Sequence, residues 1–375
     1  MVLRKITMEG NMKKLVIAVI AFLLLFAGCS KPSEPTEPDK PEVKGMAYFC
    51  RTLGDFGFND NGWAGVQNSA AKHGYEPQAI ELGNDTATFE NALVEACDSG
   101  KYSVIVTQNG SGLGDYVRKY AKDYPEIKFI VFDMGITEDP NLPENVYGIA
   151  YKASEACFLA GALAAKMSAN KKVGILSNDN PGGNDFAAGY ISGAKYADPD
   201  CQTYYYYGMA DAAAWQEQAS SLYQMGVNVV LAGSGRFALG VFNEAFNRGG
   251  AENGCLAMGI DTDMYYTLTQ SETVDIATVV LSSATKELAY TIENAVDRMK
   301  DGSLPWGKME VLGIAQGAAN VAINDHYKEL VPEDVQAYMT DLIDKVSKGE
   351  VKPVSFYDFD SQEAFLNWLK PQLGE

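Results

Sequence analysis

From Gly45 onward, short apolar runs alternate with amphipathic stretches of helical length. The runs MAYFC, YSVIVT, KFIVFD, VYGIAY, KVGILS, TYYYY, VNVVLA and CLAMGI are dominated by large apolar residues, which predicts strands buried on both faces. Between them, residues 61–73, 86–99, 115–123, 154–167, 184–196, 212–224 and 237–247 carry helical periodicity. Strand, turn and helix recur every 25–30 residues or so, the βαβ signature of a parallel sheet covered by helices. There are too many units for one small sheet, and two doubly wound α/β lobes suit the length better than one closed barrel. Residues 309–375 are less regular, with one clear helix at 332–348.

The two halves share a layout. A strand ending in a carboxylate, Phe129-Ile-Val-Phe-Asp133, is matched by Ala257-Met-Gly-Ile-Asp261. Ligands of open α/β sheets sit at the carboxyl ends of the strands, so facing lobes would bring Asp133 and Asp261 to opposite walls of one cleft.

The N-terminus has a different pattern. Met12-Lys13-Lys14 precedes an uninterrupted apolar run over residues 15–26. That run is shorter than the roughly 20 residues a bilayer span needs and suits the apolar region of a signal peptide. It ends in Phe26-Ala27-Gly28-Cys29, a lipobox whose thiol accepts diacylglycerol, so residues 1–28 read as a signal peptide with Met12 as the true start. Residues 31–44 (KPSEPTEPDKPEVK) are rich in Pro and charge, with Val43 the lone apolar side chain. They predict a solvated spacer between a lipidated Cys29 and a folded body. The expected location is therefore the extracytoplasmic face of a cell membrane, with the body anchored and not spanning.

Charge narrows the partners. Removing Arg4, Lys5, Glu9, Lys13 and Lys14 with the signal peptide leaves 26 basic and 48 acidic residues, a net charge of about −22. So acidic a surface repels phosphate backbones, and nucleic acid is not expected as a partner. Beyond Cys29 there are Cys50, Cys97, Cys157, Cys201 and Cys255, an odd set at irregular spacing and no disulfide framework. They are expected to be structural.

The familiar catalytic patterns are missing. His73 and His326 are the two histidines, and the chain has no CxxC pair, Walker A loop or GxSxG elbow. Gly110-Ser-Gly-Leu-Gly114 lacks the dinucleotide-loop spacing and reads as a tight turn aiming a helix N-terminus at the cleft. No cofactor, metal or enzymatic activity is expected.

One constellation remains. Gly54-Asp55-Phe56-Gly57-Phe58-Asn59-Asp60-Asn61-Gly62-Trp63 lies between the first strand and the first helix, where loops line the cleft. Phe58 could offer a flat face to a planar ligand, and Asn59 a donor–acceptor pair to a heterocycle edge. An Asn or Asp there also suits a plain helix N-cap.

This stretch resembles the D-x-[SG]-F-N motif of the basic membrane protein family, the purine-nucleoside-binding lipoproteins of ABC importers. Further segments resemble that family in order: Phe129–Asp133 ending in its acid, the run EACFLAGALAA over 155–165, Lys172-Val-Gly-Ile-Leu176, Gly233-Ser-Gly235, Gly259-Ile-Asp261 and Leu281-Ser-Ser-Ala-Thr-Lys286. The resemblance spans about residues 45–300 and implies a type I periplasmic-binding-protein fold, two parallel-sheet lobes joined by a hinge. The expected division is 45–151 with 282–310 in the first lobe and 152–281 with 311–375 in the second.

The resemblance also implies roles: Phe58 stacking on a base, Asn59 bonding its edge, Asp133 facing base or sugar, Asp261 taking the ribose hydroxyls. Gly235 would let backbone approach the ligand, and Lys286 would pair with an acid or sugar oxygen near the hinge. The residues alone leave Lys286 open as an exposed helix lysine. Two departures stand out. The family's acid after the first strand is replaced by Cys50-Arg51-Thr52, for which Asp55 is the candidate substitute. The second stacking aromatic falls at Met209, with Tyr206, Tyr207 or Trp215 as candidates in its place. The implied partners are a nucleoside, an ABC permease with its ATPase, and a membrane reached through lipid. A flavin, a sugar, a sensor role without transport, or a nucleoside hydrolase are the alternatives.

Overall fold

The structure is a computed structural model describing residues 44–374 apart from 236, 272 and 273. The expected signal peptide, the expected lipidation site at Cys29 and nearly all of the expected spacer lie outside the described residues.

The chain builds two six-stranded sheets. Strands β1 (Gly45–Cys50), β2 (Glu76–Glu81), β3 (Tyr102–Gln108), β4 (Lys128–Met134) and β5 (Val146–Tyr151) come first. Strands β6 (Lys172–Ser177), β7 (Gln202–Tyr207), β8 (Val229–Gly233), β9 (Leu256–Asp261), β10 (Val280–Lys286), β11 (Lys308–Leu312) and β12 (Ala319–Val321) follow. The first sheet runs β11-β5-β4-β3-β1-β2 and is parallel throughout. The second runs β12-β10-β9-β8-β6-β7, with β12 its one antiparallel strand.

The apolar runs become strands because both faces of each sheet are covered. In β1, Met46, Tyr48 and Cys50 pack into one cluster while Ala47 and Phe49 pack into another on the opposite face. In β8, Val229 and Leu231 enter one second-lobe cluster, and Val230 and Ala232 the other. A two-residue period with both faces apolar leaves no polar stripe, so the strands read as continuous hydrophobic runs.

The covering helices of the first lobe are α1 (Phe58–His73), α2 (Phe89–Asp98) and α3 (Leu113–Tyr120). The second lobe carries α4 (Ala153–Met167), α5 (Pro181–Ala197), α6 (Ala212–Gln224), α7 (Ala238–Asn247) and α8 (Met264–Thr269). Helices α4 and α5 meet backbone to backbone. A Cβ on Gly161 would strike the carbonyl oxygen of Tyr190, and one on Gly193 that of Phe158.

Three crossings link the lobes: after β5, after β10 and after β11. Helix α9 (Leu288–Asp301) then returns to the first lobe, burying Leu288, Ile292 and Val296 in its cluster. The expected lobe boundary at 282 falls inside β10, which belongs to the second sheet, so that crossing comes after Lys286. Leu281 and Ala284 pack in the second-lobe core, and the buried Ser282 donates to the Ala322 carbonyl at 2.8 Å. The C-terminal helices α10 (Asp325–Leu330), α11 (Glu333–Ser347) and α12 (Gln362–Leu373) cover the second sheet through Tyr327, Met339, Leu342 and Phe365. Among the described residues, no helix is long and apolar enough to cross a membrane.

Candidate functional site

The site is built at strand ends. Asp133, near the end of β4, and Asp261, the last residue of β9, both hold left-handed backbone, with φ of +58° and +67°. Left-handed backbone is uncommon for side chains other than Gly, and Asn and Asp tolerate it best. Each chain thus turns sharply where its sheet ends, one on each lobe.

Between them stands Lys286, at the end of β10 rather than on a helix. Its Nζ lies 2.8 Å from Asp133 Oδ1 and 3.1 Å from Asp261 Oδ1. The ammonium thus joins carboxylates from both lobes, with its side chain 11% exposed. Burial disfavours its charge, but the two carboxylates outweigh burial and raise its pKa above the ordinary lysine value. The rings of Tyr151 and Phe186 each lie 5.9 Å from the same nitrogen.

This trio borders a cavity of about 320 Å³, whose walls include Tyr151, Phe186, Gly235 and Tyr357. That is the lower end of the range for small-molecule sites. Gly235 lines the cavity, and a Cβ there would meet nothing within 4 Å. A larger hollow of about 920 Å³ shares Lys286 alone with the first and is bounded by Phe56, Asp60, Thr262, Asp263 and the start of α9. We place the candidate site in the smaller cavity because both strand-end carboxylates face it.

The loop after β1 is organised by two carboxylates. Asp55 accepts from the backbone N–H groups of Gly57 (2.9 Å), Asn59 (3.0 Å) and Asp60 (3.1 Å) and from the Asn59 side-chain amide (2.8 Å). Asp60 accepts from Gly54 and Phe56 N–H, each at 2.8 Å. Asp55 was expected at the ligand, but its oxygens are committed to satisfying the free N–H groups at the start of α1. Phe58 is half-buried against Phe132, with ring centroids 5.7 Å apart, and packs on the first-lobe core. Neither hollow includes Asp55, Phe58 or Asn59 in its walls. The lobes already touch at this loop, where Thr267 Oγ1 donates to the Phe56 carbonyl at 2.7 Å.

Trp215 is also displaced from its expected place. It is fully buried beneath the second sheet, tilted against Phe237 at 5.8 Å, as helices α6 and α7 pack together. Tyr206 and Tyr207 are exposed on the edge strand β7, while Met209 packs on the core. The second-lobe aromatics at the cavity are Phe186 and Tyr357, neither of which the sequence pattern singled out. Topology narrows the search for Phe186 to its element: it lies in the second turn of the first helix after β6, the second-lobe counterpart of the first helix after β1, which Phe58 opens.

Three polar atoms near these strand ends are buried without a hydrogen bond: Asn59 Oδ1, Gln108 Nε2 and Asp261 Oδ1, the last keeping its ion pair with Lys286. Buried polar atoms are nearly always paired, and of these three Asp261 Oδ1 belongs to the residue that lines the cavity, where a ligand atom would meet it. The arrangement suits binding: two carboxylates that accept from hydroxyls, one cation between them, and aromatic walls. His73 is paired with Asp297 at 2.6 Å and His326 stacks on Tyr265 at 4.4 Å, and neither lines the cavity. The five described cysteines are free and buried.

The profile of the family described as "ABC transporter substrate-binding protein PnrA-like" matches residues 42–354. Basic membrane protein A1 of Borrelia garinii subsp. bavariensis is 24% identical over 360 residues, covering 95% of this chain and 99% of that protein. The ABC transporter nucleoside-binding protein BmpA of Lactococcus lactis subsp. cremoris is 26% identical over 353 residues, covering 89% and 98%. Among solved structures, an ABC transporter solute-binding protein from Aeropyrum pernix K1 superposes with a TM-score of 0.69 at 19% identity, over 89% of this chain and 98% of that one. One from Conexibacter woesei gives 0.65 at 20% identity, over 84% and 99%. These structures share the fold: two α/β lobes of the type I periplasmic-binding kind.

Proposed function

Because the chain belongs to the PnrA-like family of ABC transporter substrate-binding proteins, we propose that its cleft captures a nucleoside, with purine nucleosides preferred. The observation that carries this reading is the Asp133–Lys286–Asp261 bridge. A ribose offers vicinal hydroxyls that donate to carboxylates, and a trio with two carboxylates to one ammonium favours a neutral hydroxyl donor over an anion. The relative named for nucleoside binding in Lactococcus lactis supports the same class. Phe186 and Tyr151 supply flat walls, and the unpartnered atoms of Asn59 and Gln108 could meet the base edge when the lobes rearrange around ligand.

Capture works by hinge closure: ligand atoms bridge groups from both lobes and so favour the closed state. The lipobox at Cys29 would hold the body at the outer face of the membrane, near the permease and ATPase that receive the ligand. Tethering raises the local concentration of the loaded protein at the permease without any new contact.

One observation favours a second ligand within the same role. The hydroxyl-directed trio is assembled here, whereas Met209 packs on the core and leaves no second stacking ring at its position. A sugar without a base would use the trio equally well. Mass spectrometry of small molecules released by denaturing freshly purified protein separates the two. A nucleoside is the expected species, and a sugar or flavin in its place would overturn the nucleoside assignment.

A further inference from the structure

We propose that Tyr357, carried into the cleft by the segment linking α11 to α12, is a specificity-determining residue that reads a hydroxyl of the ligand. The inference rests on the sugar-bearing ligand proposed above and adds a contact from outside the family match, which ends at residue 354.

Tyr357 sits in a single helical turn, Phe356–Asp358, and lines the same cavity as Asp133, Asp261 and Lys286. It is half-buried, and among the described residues its hydroxyl has no hydrogen-bond partner. A phenol facing a binding cavity with its donor and acceptor both free is poised for a ligand. The surrounding charges are those of the site itself. Burial first, then the Asp185 carboxylate, pushes the phenol up to about 12, so it stays a protonated donor at neutral pH.

The turn is fixed from behind. Asp185, 2% exposed, accepts from Ser355 Oγ at 2.5 Å and Phe356 N–H at 3.0 Å through one oxygen. Its other oxygen accepts from Ser154 N–H, at the start of α4, at 3.1 Å. Ser355 N–H donates to Asp358 at 3.0 Å, Tyr357 N–H donates to Ser355 Oγ at 3.2 Å, and Phe356 packs edge-on against Phe365 at 5.2 Å. A side chain on a turn held this way needs little ordering when ligand arrives, which favours discrimination over mere contact.

The test is calorimetric titration of wild type and Tyr357→Phe, each stripped of ligand. The probes are adenosine, guanosine, their 2′- and 3′-deoxy and 5′-deoxy forms, ribose and riboflavin. Loss of one neutral hydrogen bond predicts a three- to tenfold weaker affinity for the preferred nucleoside, about the range for such a bond. It also predicts no loss for the one deoxy form that lacks the hydroxyl Tyr357 reads. The ligand-free melting temperature should stay within about 1 °C of wild type, since the hydroxyl has no internal partner. Equal affinities for wild type and variant across all probes would overturn the inference, as would a uniform loss accompanied by a lower melting temperature. If wild type binds ribose or riboflavin but no nucleoside, the nucleoside reading fails, and the same comparison on that ligand still decides the role of Tyr357. A wild type that binds none of the probes overturns both.

Discussion

Lys286→Met isolates the bridge between the lobes. Met keeps most of the aliphatic stem and removes the ammonium, leaving Asp133 and Asp261 facing each other without a counter-charge. From the two Nζ distances, the nearest carboxylate oxygens can be no more than about 6 Å apart. Two unit charges at that separation repel by about 3 kcal/mol at an effective dielectric of 20. Asp133 is 36% exposed, so water screens part of this, and about 2 kcal/mol is the reasonable expectation. For a chain this long, that lowers the melting temperature of ligand-free protein by about 4 °C. The pH dependence follows from the raised lysine pKa. A raised pKa means the contribution is fully present below the unfolded value, near 10.4, and is lost only as pH climbs through the higher folded value. The gap between wild type and Lys286→Met should therefore hold constant from pH 6 to 9. Adding Asp133→Asn should recover most of the loss by removing one of the two like charges. Circular dichroism melts of the three proteins decide the matter. A Lys286→Met protein within 1 °C of wild type, or no recovery in the double variant, would show that the bridge carries little energy.

Other consequences are independent of it. Burial pushes the thiols of Cys50 and Cys97 up to about 12 and that of Cys201 up to about 11, and it raises Cys157 and Cys255 as well. At pH 8 the thiolate fraction of Cys50, Cys97 and Cys201 is then about one in a thousand or less, and all five thiols are buried, so Ellman's reagent should find no fast-reacting thiol in native protein lacking residues 1–29 and five after denaturation; one rapid native thiol would refute this. Gly161→Ala forces a methyl group onto the Tyr190 carbonyl and should cost about 1–3 kcal/mol, read as a lower urea midpoint at unchanged slope. If closure of the lobes brings Phe58 onto the base, as the family resemblance implies, Phe58→Ala should weaken nucleoside binding about tenfold, or 1.4 kcal/mol. Because Phe58 also packs on Phe132, it should lower the ligand-free melting temperature too, and a lower melting temperature with wild-type affinity would assign Phe58 to the core alone.

The parallel strands were legible because burial on both faces writes itself as unbroken apolar runs, and the paired strand-end acids followed from topology. What escaped the pattern has specific causes. Strand β2 (EPQAIE) pairs on one side with β1 and is largely exposed, so it carries no apolar run. Strand β10 hides behind Ser282 and Ser283, which are buried because their hydroxyls bond the Ala322 carbonyl and the Met264 N–H. Asp55 and Asn59 were recognisable as a motif, but local spacing could not say that Asp55 spends its oxygens on the helix start. Trp215 looked like a stacking residue because large aromatics suit both cores and ligand faces, and helix packing alone decides between them. Phe186 and Tyr357 reach the cleft through elements far apart in the chain, and Tyr357 depends on a tertiary anchor at Asp185 that no local pattern reports.

The central claim is capture of a nucleoside between the lobes, and isothermal titration of ligand-stripped protein with adenosine, guanosine, inosine and cytidine tests it most directly. The account predicts saturable one-to-one binding of at least one purine nucleoside, tighter than that of cytidine. Absence of binding heat with all four would contradict it.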